Sequence, residues 1–334
     1  MSKPHRIAFA GFRHPHIFAL FKRVKSHPDC EIIASCESDS ATRETLPSEQ
    51  GVNITHTSFE QMLSETDATI VAIGDVYAKR GAMVIAALKA GKHVIADKPL
   101  CTSLSELDEI SRLAAERKLS VGCQLDLVEA SSLLALREVV RRGEIGSPCT
   151  ITISAQHPLR LGARAAWYFE PGQHGGTIND IGIHIFDLVP WLTGRTWKDI
   201  PLVREWNAKA SAFPHFKDCA QFYGLAADGL ACFADVSYLA PDELGYALPQ
   251  YWRITVHGTK GMAEISYSIN DITVVTDQDS APQSRPATQT ASSDYLQDFL
   301  NDITGKPTAD GLTTARVLES SGWALKAQQI ASAS

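Results

Sequence analysis

A chain of 334 residues is too long for one ordinary hydrophobic core and predicts two domains. With 44% hydrophobic and 21% charged residues it has the balance of a soluble globular protein, and no apolar run approaches the length of a membrane span. The net charge of -7 is mixed along the chain without a long run of either sign, which argues against nucleic-acid and membrane-surface partners.

The opening MSKPHRIAFAGF holds too short an apolar run for a signal peptide, so the expected compartment is the cytoplasm. Seven cysteines, none in a CxxC pair, are expected as free buried thiols, with neither a disulfide nor a metal centre. Residues 6–11, RIAFAG, read as a buried strand breaking at Gly11, followed by a helix carrying Phe18, Leu20, Phe21 and Val24. EIIASCESD is a second strand ending near Glu37. A short helix to Leu46, a strand over Val52 to Thr55 and a helix over Phe59 to Leu63 come next. ATIVAIG is a further strand, and Ala82 to Leu88 supplies an apolar helical face closed by Gly91. The strand HVIA then runs into Asp97-Lys98-Pro99, and a helix from Leu104 to Glu116 and the strand LSVGCQ complete the alternation. This spacing predicts a parallel sheet covered on both faces, an N-terminal Rossmann-like domain over residues 1–123. Ligands of such sheets bind beyond the carboxyl ends of the strands, so Lys98 either faces a site or is a solvated turn lysine.

A dinucleotide fold usually shows GxGxxG at its first turn, whereas this window reads Gly11-Phe12-Arg13-His14-Pro15-His16. Only the first glycine is kept. Arg13 could clamp a pyrophosphate in front of the helix N-terminus, or it could block the position. Glu37, about 26 residues after Gly11, falls where an acid accepts hydrogen bonds from ribose hydroxyls. A carboxylate there would repel the 2'-phosphate of NADP and favours NAD, although Arg43 lies close by.

Beyond residue 123 the pattern changes. A helix from Glu129 to Arg142 presents Leu133, Leu136, Val139 and Val140, and CTITISAQ then alternates at period two, as do residues 217–226, 230–239, 251–257 and 262–268. Asp228-Gly229 and Gly258 to Gly261 read as hairpin turns. The second domain, residues 124–334, is therefore expected to be α+β with a mostly antiparallel open sheet. Helices cover one face, and the other is suited to a second copy of the chain. Residues 277–292 read as a mobile surface loop, and two helices finish the chain.

The segment HGGTINDIGIHIFDLVPWLTG, residues 174–194, holds the most reactive side chains. A helix would put Asp180 and His184 on one face, as an acid-base pair or as a satisfied structural pair. A metal site built on His174 lacks a third ligand at motif spacing.

These features resemble the Gfo/Idh/MocA family of nicotinamide-dependent oxidoreductases. The resemblance spans nearly the whole chain and rests on AALKAGKHVIADKPL, GGTINDIGIHIFDLVPWLTG and ITVHGTKGMAEI in the family's order. It implies that Lys98, Asp180 and His184 line the catalytic cleft. The implied cofactor contacts are Gly11, Phe12, Arg13, His14, His16, Glu37, Gly74, Asp75, Tyr77, Asp97 and Lys98, with NAD or NADP as cofactor and NAD favoured. Where the family often has a Pro-Asn pair, this chain has Gly74-Asp75, and near Gln124 it has Asp126 in place of a frequent arginine. The implied reaction is reversible oxidation of a secondary alcohol on a sugar, polyol or related small molecule. His184 would take the hydroxyl proton, Asp180 orient its ring and Lys98 hydrogen-bond the reacting oxygen as hydride leaves for the nicotinamide. Gln124 and, from the loop QHPLRLGARAAWYFEPGQH, Arg160, Arg164, Trp167, Tyr168 and His174 are the expected substrate contacts, with Trp167 and Tyr168 alternatively packed beneath the loop. A lyase or glycosidase that oxidises transiently, or a nucleotide-binding regulator without turnover, are the alternatives. A homodimer or homotetramer through the second sheet is expected.

Overall fold

Strand β1 (His5–Ala10) buries Ile7, Ala8, Phe9 and Ala10 in succession, as a parallel strand covered on both faces must. It starts a chain whose computed structural model describes residues 4–333 in two units. The first unit comprises Met1–Gln124, Gly172–Gly175 and Tyr295–Glu319, and the second Leu125–Pro171, Gly176–Asp294 and Ser320–Ser334.

After β1 the backbone turns at Gly11, with φ of +77°, into α1 (His16–Ser26), which buries Ile17, Leu20, Phe21 and Val24 at helical spacing. There follow β2 (Cys30–Cys36), α2 (Ser40–Gln50), α3 (Phe59–Glu65), β3 (Ile70–Ile73), α4 (Tyr77–Lys89), β4 (His93–Ala96), α5 (Leu104–Arg117) and β5 (Val121–Cys123). Helices α2, α3 and α5 start where their sequences dictate, since Asp39, Ser58 and Ser103 each accept a first-turn N–H. The five strands are all parallel in the order β2-β1-β3-β4-β5. The chain thus leaves β1 to one side for β2 and returns on its other side as β3. That reversal opens a crevice at the carboxyl ends of β1 and β3, where open α/β sheets take their ligands.

In the second unit α6 (Ser131–Arg141) buries Leu133, Leu136, Val139 and Val140. After it come β6 (Pro148–Pro158), a π-helical turn over Ile178–Gly182 running into α7 (Ile183–Thr193), β7 (Trp197–Trp206), β8 (Cys219–Ala226), β9 (Ala231–Ala240), β10 (Arg253–Gly258), β11 (Gly261–Ser266), β12 (Asp271–Thr276) and β13 (Gln283–Pro286). These eight strands form one sheet in the order β13-β12-β11-β10-β6-β9-β8-β7, with β6 and β9 its one parallel pair. Both expected hairpins are present: Asp228 and Gly229 take φ of +58° and +75° between β8 and β9, and Gly258 pairs with Gly261. One sheet face leaves Leu202 and Phe233 largely exposed beside Thr152, Ser154, Gln221 and Tyr223.

The chain ends with α8 (Tyr295–Ile303) and α9 (Thr314–Ser332). Helix α8 lies in the first unit, where the Phe299 ring packs so closely on Gly122 that a Cβ there would come within 2.7 Å of it.

Two expectations are corrected. Val52 to Thr55 form no strand; Thr55 and His56 both donate to the Ser35 carbonyl, so one short crossing replaces a ladder, with a single bridge between Cys36 and His56. The segment 277–292 contains β13, which pairs with β12 as an exposed edge strand, a position that tolerates its polar side chains and Pro286. Among the described residues no helix is long and apolar enough to cross a membrane, and the seven cysteines are free thiols, although Cys149 is exposed and Cys30 half-buried where burial was expected.

Candidate active site

The crevice of the first unit is built from the ends of β1, β2, β3 and β4. Gly11 lies so close to the β3 end that a Cβ on it would stand 2.4 Å from the Asp75 Cβ. We expect Gly11→Ala to lose about 2–4 kcal/mol, from the left-handed φ and the overlap together, read as a fall in the urea midpoint. Gly74 is needed for a different contact, since a Cβ there would meet Ile17 of α1 at 2.4 Å.

Phe12 offers the crevice its backbone rather than its ring, which stacks among Phe9, Phe18 and Phe21. Its N–H donates to Glu37 Oε2 at 2.6 Å, and Asp39 N–H donates to Oε1 at 2.8 Å. Burial pushes the Glu37 carboxyl up, while these two donors favour its charged form. A carboxylate has about four acceptor positions, so two remain for further donors. Arg43 is committed elsewhere, donating to the carbonyls of Glu37 and Ser38. Arg13 is paired with Asp75, both its Nε and Nη2 lying 2.6 Å from Oδ1. Helix α1 begins after Pro15 with no side-chain cap bond and no acid in its first turn. A helix start of this kind, with no side-chain acceptor on its first N–H groups, suits an anion. A tight turn, an uncapped helix N-terminus and an acid at the β2 end are what a dinucleotide's pyrophosphate and ribose need, so these residues fit one.

Behind the loop lies a buried polar network. Asp97 is 1% exposed, and its Oδ2 faces His14 Nδ1 in a very short contact and Arg80 Nη2 at 3.2 Å. Burial alone would raise the Asp97 carboxyl, but the hydrogen bond from His14 and the charge of Arg80 hold it well below the usual range. Burial pushes the His14 imidazole down to about 3, so at neutral pH His14 is neutral and Asp97 charged. Nδ1–H of His14 then donates to Asp97, and Nε2 accepts from the Tyr77 hydroxyl at 3.0 Å. Arg80, fully buried, also donates to the carbonyls of Asp75, Lys98 and Pro99 and stacks on Tyr77. Lys98, 4% exposed, is thereby fixed through its backbone at the end of β4. His174 comes to this same network, its ring 5.5 Å from that of Tyr77. Gln124 is buried at the end of β5, its N–H on the Ala96 carbonyl.

This network predicts acid sensitivity. The folded-state pKa of His14 lies below its ordinary value of 6.5, so the stability it contributes is complete above pH 6.5 and is lost as pH falls below it. Between pH 6.5 and 5 the loss should reach about 2 kcal/mol. Urea denaturation at several pH values, with His14→Gln as the reference, isolates this contribution, and parallel curves for the two proteins would contradict it.

In the second unit Asp180 and His184 lie on the π-helical turn and the start of α7, both buried. The extra backbone of the turn is anchored from α9, where Gln328 Oε1 accepts the Ile178 N–H at 3.1 Å. Asp180 receives the hydroxyl of buried Tyr238, in a very short bond. Burial and then Asp180 push this phenol well above its ordinary value, so it stays a donor. His184 lies edge-on to Trp252 at 5.5 Å, and Trp252 joins His157, Tyr246 and Tyr251 in an aromatic cluster. Tyr238 and this cluster are absent from the sequence-based set. Their signal was period-two alternation, which marks a buried face without saying what it faces.

The expected substrate loop divides. Arg164 is spent on its own scaffold, donating to the Leu159 and Pro158 carbonyls and stacking over Tyr168 and Tyr238. Trp167 and Tyr168 are buried and stacked on each other, the packed alternative. Arg160 is exposed, with φ of +50°, its N–H on Asp242 and its guanidinium 5.4 Å from the Tyr246 ring centroid.

Residues 6–124 match the family model described as oxidoreductase family, NAD-binding Rossmann fold, and residues 133–264 match that of the GFO/IDH/MocA C-terminal domain. A 1,5-anhydro-D-fructose reductase of Ensifer adhaerens is 28% identical over 159 residues, 47% of this chain and 47% of that protein. The chain thus aligns with about half the length of the curated relatives it matches. Among solved structures, an oxidoreductase from Agrobacterium radiobacter in complex with NAD+, L-tartaric acid and magnesium has a TM-score of 0.80 at 18% identity, covering 99% of this chain and 97% of that one. An inositol dehydrogenase homolog from Azotobacter vinelandii, complexed with NADH and myo-inositol, has a TM-score of 0.79 at 15% identity, covering 100% and 97%. At these identities the structural likeness is one of fold.

Proposed function

The chain belongs to the GFO/IDH/MocA family of oxidoreductases, and on that premise we propose that it is an NAD(P)-dependent dehydrogenase acting on a secondary alcohol of a sugar, polyol or related small molecule. The observation that carries this reading is the crevice at the β1 and β3 ends, where Gly11, the uncapped start of α1 and Glu37 come together. A nicotinamide dinucleotide bound there would supply or accept the hydride.

The chain's own residues supply the rest. Lys98 hydrogen-bonds the reacting oxygen and stabilises negative charge growing on it. His184 takes up the hydroxyl proton in oxidation and returns it in reduction. Asp180, held by the Tyr238 hydroxyl, orients that chemistry. Trp252, fully buried, packs edge-on against the His184 ring and holds it in place. With Arg164 committed to carbonyls, Arg160 is the arginine that remains for an anionic group. NAD is favoured over NADP because Glu37 stands at the ribose position and Arg43 is tied to two carbonyls.

Titrating NAD and NADP against protein fluorescence, then screening sugars, polyols and hydroxy acids for reduced-nicotinamide absorbance, tests the reading. Binding of NAD in preference to NADP and turnover on one of these classes are expected. Binding of neither nucleotide would overturn it. We also place the protein in the cytoplasm and propose a homodimer or homotetramer through the sheet face bearing Leu202 and Phe233, which light scattering of Leu202→Glu would show as monomers.

A further inference from the structure

We propose that His14, His16 and Asp97 form a binding site for a divalent transition-metal ion such as zinc. Each offers one ligand atom, and these atoms lie within 4.8 Å of one another, the one such group of three among the described residues. Two imidazoles and a carboxylate are a donor set that suits zinc, iron and cobalt, and three protein ligands leave positions open for water or an anionic oxygen.

The arrangement of the buried atoms points the same way. Asp97 is 1% exposed, yet among the described residues its Oδ1 has no hydrogen-bond partner, and neither does His16 Nδ1. The two face each other at 3.3 Å in poor hydrogen-bond geometry. On the other oxygen, His14 Nδ1 crowds closer than an ordinary hydrogen bond. Buried polar atoms left without a hydrogen-bond partner are rare in native proteins, and a cation between Asp97 Oδ1 and His16 Nδ1 would satisfy both.

The surroundings supply what a metal-bound histidine needs. A metal on His14 Nδ1 places the ring proton on Nε2, where the Tyr77 hydroxyl oxygen, 3.0 Å away, accepts it. The same contact serves either tautomer, with the direction of donation reversed. Arg80 opposes a second cation, but it donates to Asp97 Oδ2 at 3.2 Å and leaves Oδ1 for the metal. That repulsion favours an exchangeable ion over a permanently held one. Tetrahedral ligands about 2.1 Å from zinc lie about 3.4 Å apart, so a pair at the 4.8 Å limit must close by about 1.4 Å. Rotation of the His16 ring, whose side chain is 42% exposed, provides that movement.

The test is titration of the chelator-stripped full chain with cobalt(II), followed by visible ligand-field absorption, and with zinc(II), followed by elemental analysis after dialysis. One equivalent of each per chain is expected, with the cobalt band abolished in His16→Ala. Tyr77→Phe should weaken binding by about 10-fold or more while circular dichroism stays unchanged. Absence of a cobalt band, binding well below one equivalent, or affinity unaltered in His16→Ala would overturn the proposal. Because neither substrate nor dinucleotide enters the assay, failure here leaves the dehydrogenase reading standing, and failure of that reading leaves this one.

Discussion

Replacing Arg80 with Ala should lower the stability of the first unit by about 3–5 kcal/mol, the cost of stripping the partner from a buried charge. Arg80 is fully buried and donates to Asp97, to the Asp75 carbonyl at 2.7 Å and to the Lys98 and Pro99 carbonyls at 2.5 and 3.2 Å. Its removal leaves a carboxylate and carbonyls inside the protein with their donor gone, and each unsatisfied group keeps its full desolvation penalty. Arg80→Met fills the volume and stacks on Tyr77, yet should recover little, because the missing quantity is donors and charge rather than packing. Urea denaturation reads the effect, and a loss below about 1 kcal/mol would show that the network is not what holds the β3 and β4 ends.

Turnover should fall by roughly 10²-fold or more in each of Lys98→Ala and His184→Ala, as general acid-base and electrostatic groups commonly cause. The two losses should differ in kind. His184→Ala removes a proton acceptor, so the pH dependence of kcat should lose the limb belonging to that group. Lys98→Ala removes charge stabilisation that grows toward the transition state, so kcat should fall more than KM rises. Lys98→Arg keeps the charge but spreads it over a wider planar fork, and should recover only part of the rate. Near-normal turnover in both alanine variants on a verified substrate would refute these roles.

The parallel sheet of the first unit was readable because strands buried on both faces are continuous apolar runs, as in RIAFA and ATIVAI. The second sheet was readable from period-two alternation and from Asp228-Gly229. The return of Tyr295–Glu319 and Gly172–Gly175 to the first unit was not, because nothing local in SDYLQDFLNDI says which core its apolar face joins. Strand β13 was hidden for a related reason, since an exposed edge strand needs no apolar pattern. In the site, Gly11, Glu37 and Asp97-Lys98 stood out by their places at strand ends. Arg80 did not, because a lone arginine in a helix reads as solvent-facing until Asp97, 17 residues on, is folded against it. Arg164 misled in the opposite sense: its charge suggested a ligand, while its hydrogen bonds serve its own loop.

Hydride transfer itself is tested most directly by isotope. An alcohol substrate found in the screen, deuterated at its carbinol carbon, is incubated with NAD and the protein, and the nicotinamide is analysed by mass spectrometry and proton NMR. One deuterium at C4 of the reduced nicotinamide, delivered to a single face, is expected, with a matching ketone formed. Ketone or elimination product appearing with no deuterium in the nicotinamide pool would contradict it.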